Sequence, residues 1–438
     1  MKCAMTWLIL LALNVQTLFG ASETHHHPHS PEEITPTPAR EPSPCSEMEF
    51  FEISRGMCQT LPMADMPMSM LMIHGNGFFT GISQTGPRGR QAVTLTDMIM
   101  IDLGTSLGDS QYVSIELMGT TERWTVPEQG YPLLMQIGEE NAAGKPYLDA
   151  QHPHSSPLMG LTFSDTIRLG LGKNHLKIFF APRGETTDGP IAFMHRPTGM
   201  VNPDAPLGHH IGQDVGHVSS TVFGQSLKIG TTWFEASIFN GQEPSPTKID
   251  LPLGSPDSYS LRLIQEFSQQ CFAMASFAQI KNSASHNAEH AYTQRYSGSI
   301  YNKFILKNGW VFDHALIYGG ITNFDHAAFL HSFAEEYLLN FGRPRSWGRI
   351  EVLQRTPAEL AISTDDNVNT GTWVNALTAG SSYVLVKGDE TELSLGGSVT
   401  HSIMPQEFKA SYGGSPWSGK VFLQIGTMKM WAFQGHSP

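Results

Sequence analysis

The chain has 438 residues, a formal net charge of −13 at pH 7, and 15% charged residues against 40% hydrophobic ones. The acidic balance argues against a phosphate backbone as partner, so no nucleic acid is expected. The charged fraction lies below the ~25% of ordinary soluble domains, and no run past the N-terminus reaches the roughly 18 apolar residues of a membrane helix. Helical transporters are therefore excluded, whereas a barrel with strands apolar on one side only is not.

The chain opens on Lys2, an apolar run over residues 7–15 and the small-residue end Phe19-Gly20-Ala21. This pattern predicts an export signal over residues 1–21. Residues 22–72 read as a disordered periplasmic segment, beginning with His25, His26, His27 and His29 and continuing through Pro31, Pro36, Pro38, Pro42 and Pro44. Such a composition cannot bury a core. Cys45 and Cys58 have two readings, a disulfide of an oxidising compartment or thiolate ligands, while Cys271 sits in an apolar strand pattern and is expected to be buried.

The segment closes on Met66, Met68, Met70 and Met72, followed by His74. Methionines two residues apart share one face of an extended chain. Thioether sulfur is a soft donor that suits Cu(I) where thiols do not stay reduced. The competing reading is an apolar methionine plug packed on the domain.

From Gly75 the apolar pattern has period two. Val113, Ile115 and Leu117 alternate with Ser114, Glu116 and Met118, and Leu393, Leu395 and Val399 with Glu392, Ser394 and Ser398. About 14 half-buried strands are predicted, so residues 73–438 are expected to form a single antiparallel transmembrane β-barrel of roughly 12–16 strands. Residues 329–341 could pass for a helix, but the Phe329, His331, Phe333 alternation favours a strand. Gly319-Gly320 reads as a turn, and aromatics such as Trp233, Trp347, Trp373 and Tyr383 suit interfacial girdles.

Two long insertions, residues 121–157 and 181–217, interrupt the strands. Within or beside them lie His152, His154, His195, His209, His210 and His217, six of the 19 histidines, together with Asp149, Asp204 and Asp214. Imidazoles on loops held by a β scaffold can build a metal site, with carboxylates as ligands or as acceptors that orient a ring. They can equally pack loops and bond backbone carbonyls. For His195 the structural role is favoured, because Arg196 beside it repels a cation. No H-E-x-x-H motif occurs, and Glu139-Glu140 and Glu335-Glu336 are only chain neighbours, so the protein does not read as an enzyme.

An ordered series of motifs resembles a family of largely uncharacterised bacterial outer-membrane β-barrel proteins associated with copper and heavy-metal tolerance. It runs through Met72-Ile73-His74-Gly75-Asn76-Gly77-Phe78, Gly130-Tyr131-Pro132-Leu133-Leu134, Gln151-His152-Pro153-His154, Phe193-Met194-His195-Arg196-Pro197, Gly208-His209-His210 and Gln213-Asp214, and reaches Phe239-Asn240-Gly241-Gln242-Glu243-Pro244. The resemblance implies a barrel in outer-membrane lipid, transition-metal ions (copper foremost) as ligand, and a periplasmic metal-efflux system as partner. The expected metal ligands are His152, His154, His209, His210, His217, Met66, Met68, Met70, Met72 and His74. Two alternatives stand beside it: a structural or general-diffusion barrel without a metal site, and a soluble secreted β-sandwich binding protein.

Overall fold

The computed structural model describes residues 68–434, apart from positions 109, 141–145, 155, 171–173, 214, 243–247, 250, 252, 282–291, 324–327 and 363–368. The export signal, most of the His- and Pro-rich segment, Cys45, Cys58, Met66 and Asp214 lie outside the described residues.

The strands in chain order are β1 (Met68–Gln84), β2 (Gln91–Leu107), β3 (Gln111–Gly119), β4 (Tyr131–Glu140), β5 (Pro146–Gln151) and β6 (Leu158–Arg168). They continue with β7 (His175–Gly184), β8 (Ser219–Ile229), β9 (Thr232–Asn240), β10 (Ser258–Ser268), β11 (Cys271–Ile280) and β12 (Thr293–Ile305). The last six are β13 (Val311–Asn323), β14 (Ala328–Asn340), β15 (Pro344–Arg355), β16 (Thr372–Lys387), β17 (Thr391–Ile403) and β18 (Trp417–Gln434). Sixteen of them close into one antiparallel barrel, with β1 paired to β18 and β3 to β6. The wall therefore has no free edge, the condition for a sheet in lipid. Closure rules out the β-sandwich alternative. β4 and β5 form a separate two-stranded sheet inside the first insertion.

The alternation sets the two faces. On β10, Leu261 and Leu263 are exposed outward while Ser260 and Arg262 are buried inward. On β18, Val421, Leu423 and Ile425 face out and Phe422 and Gln424 face in. The links β2–β3, β6–β7, β8–β9, β10–β11, β12–β13, β14–β15 and β16–β17 hold two to six residues and share the end at which β1 starts. Both long insertions leave from the other end and fold into the lumen. Short turns at one end and long loops at the other are the bacterial outer-membrane pattern.

Several expectations change. β1 starts at Met68, so residues 68–72 belong to the wall instead of the segment before it. Residues 329–341 form β14 for most of their length, as the alternation suggested. Gly319-Gly320 is not a turn but lies inside β13. A Cβ on Gly319 would stand 2.0 Å from the Ile211 carbonyl oxygen. The pair is glycine because insertion backbone packs directly on the wall there. Trp233 and Trp347 point inward and are buried, not in a girdle. Trp347 lies across Gly380, whose absent Cβ leaves room for the indole ring. Cys271 is half-buried in β11.

Candidate metal centre

Proline and glycine keep both insertions from long regular helix, the first holding a single α-helical turn at Glu122–Thr125, so their path is fixed by polar anchors on the inner wall. Arg196 donates through Nε and Nη2 to the two Glu336 carboxylate oxygens, each at 2.7 Å, and neither side chain is exposed. The Thr198 hydroxyl and Arg349 Nε also donate to Glu336, at 2.7 and 2.8 Å. Lys420 Nζ donates to Asp204 at 2.6 Å, and the Tyr131 hydroxyl donates to the same carboxylate at 2.7 Å. Tyr131 comes from the first insertion and Asp204 from the second, so this carboxylate joins both to the wall. Asp149 accepts from the Tyr412 hydroxyl, the Met135 amide and Arg88. Asp149 and Asp204 are thus anchors, each already bound to a cation and a hydroxyl.

Arg355 Nη2 donates to the Leu207 carbonyl and Arg355 Nε to that of Met135. The Ser332 hydroxyl donates to the Ile211 carbonyl at 2.7 Å. Gly212 follows with φ of +70°, a left-handed turn that glycine adopts at little cost. The adjoining residues His209 and His210 are therefore held from both sides of the chain.

On this frame five histidines converge. His152, His209 and His210 each offer a ring nitrogen, all within 4.8 Å of one another. The His209 ring centroid is 4.6 Å from that of His210 and 5.0 Å from that of His217. His154 Nε2 and His217 Nε2 lie 3.2 Å apart. Glu122 accepts from the His154 backbone amide and faces His154 Nδ1 at 2.9 Å. This carboxylate places the proton on Nδ1 and leaves the Nε2 lone pair pointing at His217.

Burial, with His209, His152, Arg355 and Arg295 nearby, pushes the His210 pKa well below its ordinary 6.5. His210 is therefore neutral at physiological pH, the form that binds a metal. Its Nε2 is buried without a hydrogen-bond partner among the described residues. An orphaned lone pair beside two more imidazoles fits a transition-metal ion. Zn–N or Cu–N bonds of ~2.0–2.1 Å put the nitrogens of a tetrahedral site about 3.3 Å apart, well inside the 4.8 Å limit, so the rings must draw in to hold an ion.

The other expected ligands lie elsewhere. Met70, Met72 and His74 are buried on the inner face of β1. His74 has His195 as its ring neighbour, at 5.8 Å between centroids. His195 belongs to a short 3-10 turn, Phe193–His195, and faces this wall. A G-x-S-x-G match, Gly104-Thr105-Ser106-Leu107-Gly108, falls at the end of β2, leading into β3. It lacks the strand–turn–helix context of a nucleophile elbow.

Sequence reading missed Glu122, Arg295 and Arg355, for which the chain carries no local signal. It also missed Met98, Met100, Met118, Met159 and Met194. The i, i+2 spacing of Met98 and Met100 on a strand would have flagged two of them.

Met98, Met159, Met194, His154 and His217 are among the residues that line a cavity of about 60 Å³.

No family model and no curated protein matches the chain. Among solved structures it is similar to OmpF of Salmonella typhi, solved in complex with daunomycin. The identity is 10%, over 83% of this chain and 97% of that one, with a TM-score of 0.53. An anion-selective porin from Comamonas acidovorans aligns over 83% of this chain and 99% of its own, at 10% identity and a TM-score of 0.49. The likeness is one of fold, a porin-type barrel.

Proposed function

We propose that this protein is an outer-membrane barrel that binds a transition-metal ion inside its filled lumen, and that it serves copper or related metal tolerance. The observation that carries the reading is the convergence of His152, His209 and His210 from two separate insertions, with His154 and His217 beside them. Imidazole suits copper and zinc, and copper also matches the thioethers of Met70 and Met72 on β1. The apolar outer face meets outer-membrane lipid, and a periplasmic metal-efflux system is the partner such a function implies. The role is binding and passage, with no covalent chemistry.

Two features weigh against a general-diffusion barrel whose histidines merely staple loops. The insertions are already anchored by Arg196, Glu336, Arg349, Asp204 and Lys420 without any imidazole. The cavity beside His154, about 60 Å³, has room for a few water molecules or an ion, and imidazoles and thioethers line it.

The test is calorimetric titration of Cu(II) and Zn(II) into the purified, detergent-solubilised barrel. His209→Ala and His210→Ala are each expected to weaken binding at least tenfold while the protein keeps the heat-dependent gel mobility of a closed barrel. A wild-type protein that binds neither ion defeats the reading.

A further inference from the structure

The inner wall carries an unusual apolar patch. In the buried cluster Met98, Met100, Met118, Met159 and Val218, four of five residues are methionine, and Met194 packs on it from the second insertion. The other buried apolar clusters hold two methionines in seventeen residues, one in nine, and none in the remaining two. Elsewhere leucine, isoleucine and aromatic rings fill such space, so thioethers are concentrated at one place on the wall.

Register explains the grouping. His74 on β1 lies opposite Met100 on β2, and Met100 lies opposite Met118 on β3. Met118 in turn lies opposite Gly160 on β6, where an added Cβ would meet the Met118 side chain at 3.3 Å. Opposed side chains on one sheet face stand ~5 Å apart at Cβ, so these long side chains can meet in one space. One step away, Asn76 faces Met98.

One further observation points to a cation. His74 is 2% exposed, and its Nδ1 has no hydrogen-bond partner among the described residues. A buried imidazole nitrogen with nothing to bond is costly, and it lies beside thioethers. Met72 is opposed by Met430 on β18, which extends the thioether face toward the end with the short turns.

We propose that this face is a second metal site, with Met98, Met100, Met118, Met159 and Met194 around the His74 imidazole, and that it takes a soft monovalent cation, Cu(I) or Ag(I). Thioether donors select such d10 ions over harder divalent ones. The site rests on the reading of the barrel as a metal binder, and differs from the histidine centre in the charge and softness of its ion. Met98, Met159 and Met194 line the same cavity as His154 and His217, the two imidazoles beside the histidine centre.

The test uses the purified full chain in detergent, with Ag(I) as a redox-inert probe of this site and Zn(II) as a probe of the histidine centre. The variant Met100→Leu/Met118→Leu/Met159→Leu nearly conserves volume, a class of change that cores tolerate. Ag(I) affinity is expected to fall at least tenfold in it, with Zn(II) binding unchanged. In wild type, Ag(I) is expected to shift the carbon-13 methyl signals of labelled methionines. His209→Gln/His210→Gln is expected to do the reverse, losing Zn(II) and keeping Ag(I). Should the triple variant not close into a barrel, Met100→Leu alone supplies the same comparison. Ag(I) binding that is absent in wild type, or indifferent to the methionine changes, overturns the proposal. Absent Zn(II) binding with intact, methionine-dependent Ag(I) binding overturns the histidine centre alone.

Discussion

Replacing Gly319 with alanine tests whether the wall positions the histidines. The added Cβ would stand 2.0 Å from the Ile211 carbonyl oxygen and 2.8 Å from the Gly212 carbonyl carbon. An ordinary close C···O contact is ~3.3 Å, so that carbonyl must retreat by more than 1 Å. β13 cannot yield instead, because β12 and β14 hold it in register on both sides of residue 319. The retreat breaks the 2.7 Å hydrogen bond from Ser332 and drags His210, the preceding residue, with it. Overpacking of this kind costs ~1–3 kcal/mol, and the lost bond adds about 1 kcal/mol. Metal–ligand distances tolerate only ~0.2 Å, so affinity should fall at least tenfold, or about 1.4 kcal/mol. Zn(II) calorimetry reads the loss, and gel mobility with and without heating reads the barrel. Gly298→Ala on β12 is the control, since a Cβ there meets nothing within 4 Å. A Gly319→Ala protein that binds Zn(II) like wild type would refute the idea that this turn sets the site.

Three other outcomes are expected. Glu122→Gln leaves the barrel intact but frees the His154 tautomer, and metal affinity should drop ~10–100-fold, the usual loss for an orienting carboxylate; unchanged calorimetry would remove Glu122 from the site. Arg196→Met strands the buried Glu336 charge with Arg349 as its remaining cation, at a cost of ~3–5 kcal/mol, and should raise single-channel conductance as the second insertion loosens; a conductance equal to wild type would show that the ion pair does not seat it. His210 is held below its ordinary 6.5, so between the folded value and 6.5 the folded protein binds fewer protons than the unfolded chain. Stability therefore falls as pH drops below 6.5, and melting curves of His210→Gln should be flatter across that window than those of wild type.

Much of the fold was legible because a strand exposed to lipid on one side leaves a period-two trace. Leu261 and Leu263 against Ser260 and Arg262 show it plainly. The trace weakens where the lumen is filled by protein, for there the inward side is apolar too, as with Met98, Ala315 and Ile317. Two inward tryptophans, Trp233 and Trp347, looked like girdle residues for that reason. The Gly319-Gly320 pair looked like a turn because a glycine pair is read from local conformation, while its cause is a segment a hundred residues earlier. The histidine blocks were visible as blocks. Their convergence depended on Arg196, Asp204 and Arg355 contacts that no local spacing encodes.

The anchors of the two insertions lie far along the chain. Arg196 waits for Glu336, 140 residues on, and Asp204 for Lys420, 216 residues on. Met135 accepts from Arg355, 220 residues later. Loops this long are entropically slow to close and their contacts form late in folding. The insertions are synthesised early yet cannot be seated until β14, β15 and β18 have joined the sheet. Assembly must therefore hold an unseated, charged lumen segment in an open sheet and close the last seam, β18 on β1, around it. Strand closure and lumen filling are then a single late event, and a chain cut before β14 would lack both the Glu336 carboxylate for Arg196 and the Lys420 ammonium for Asp204.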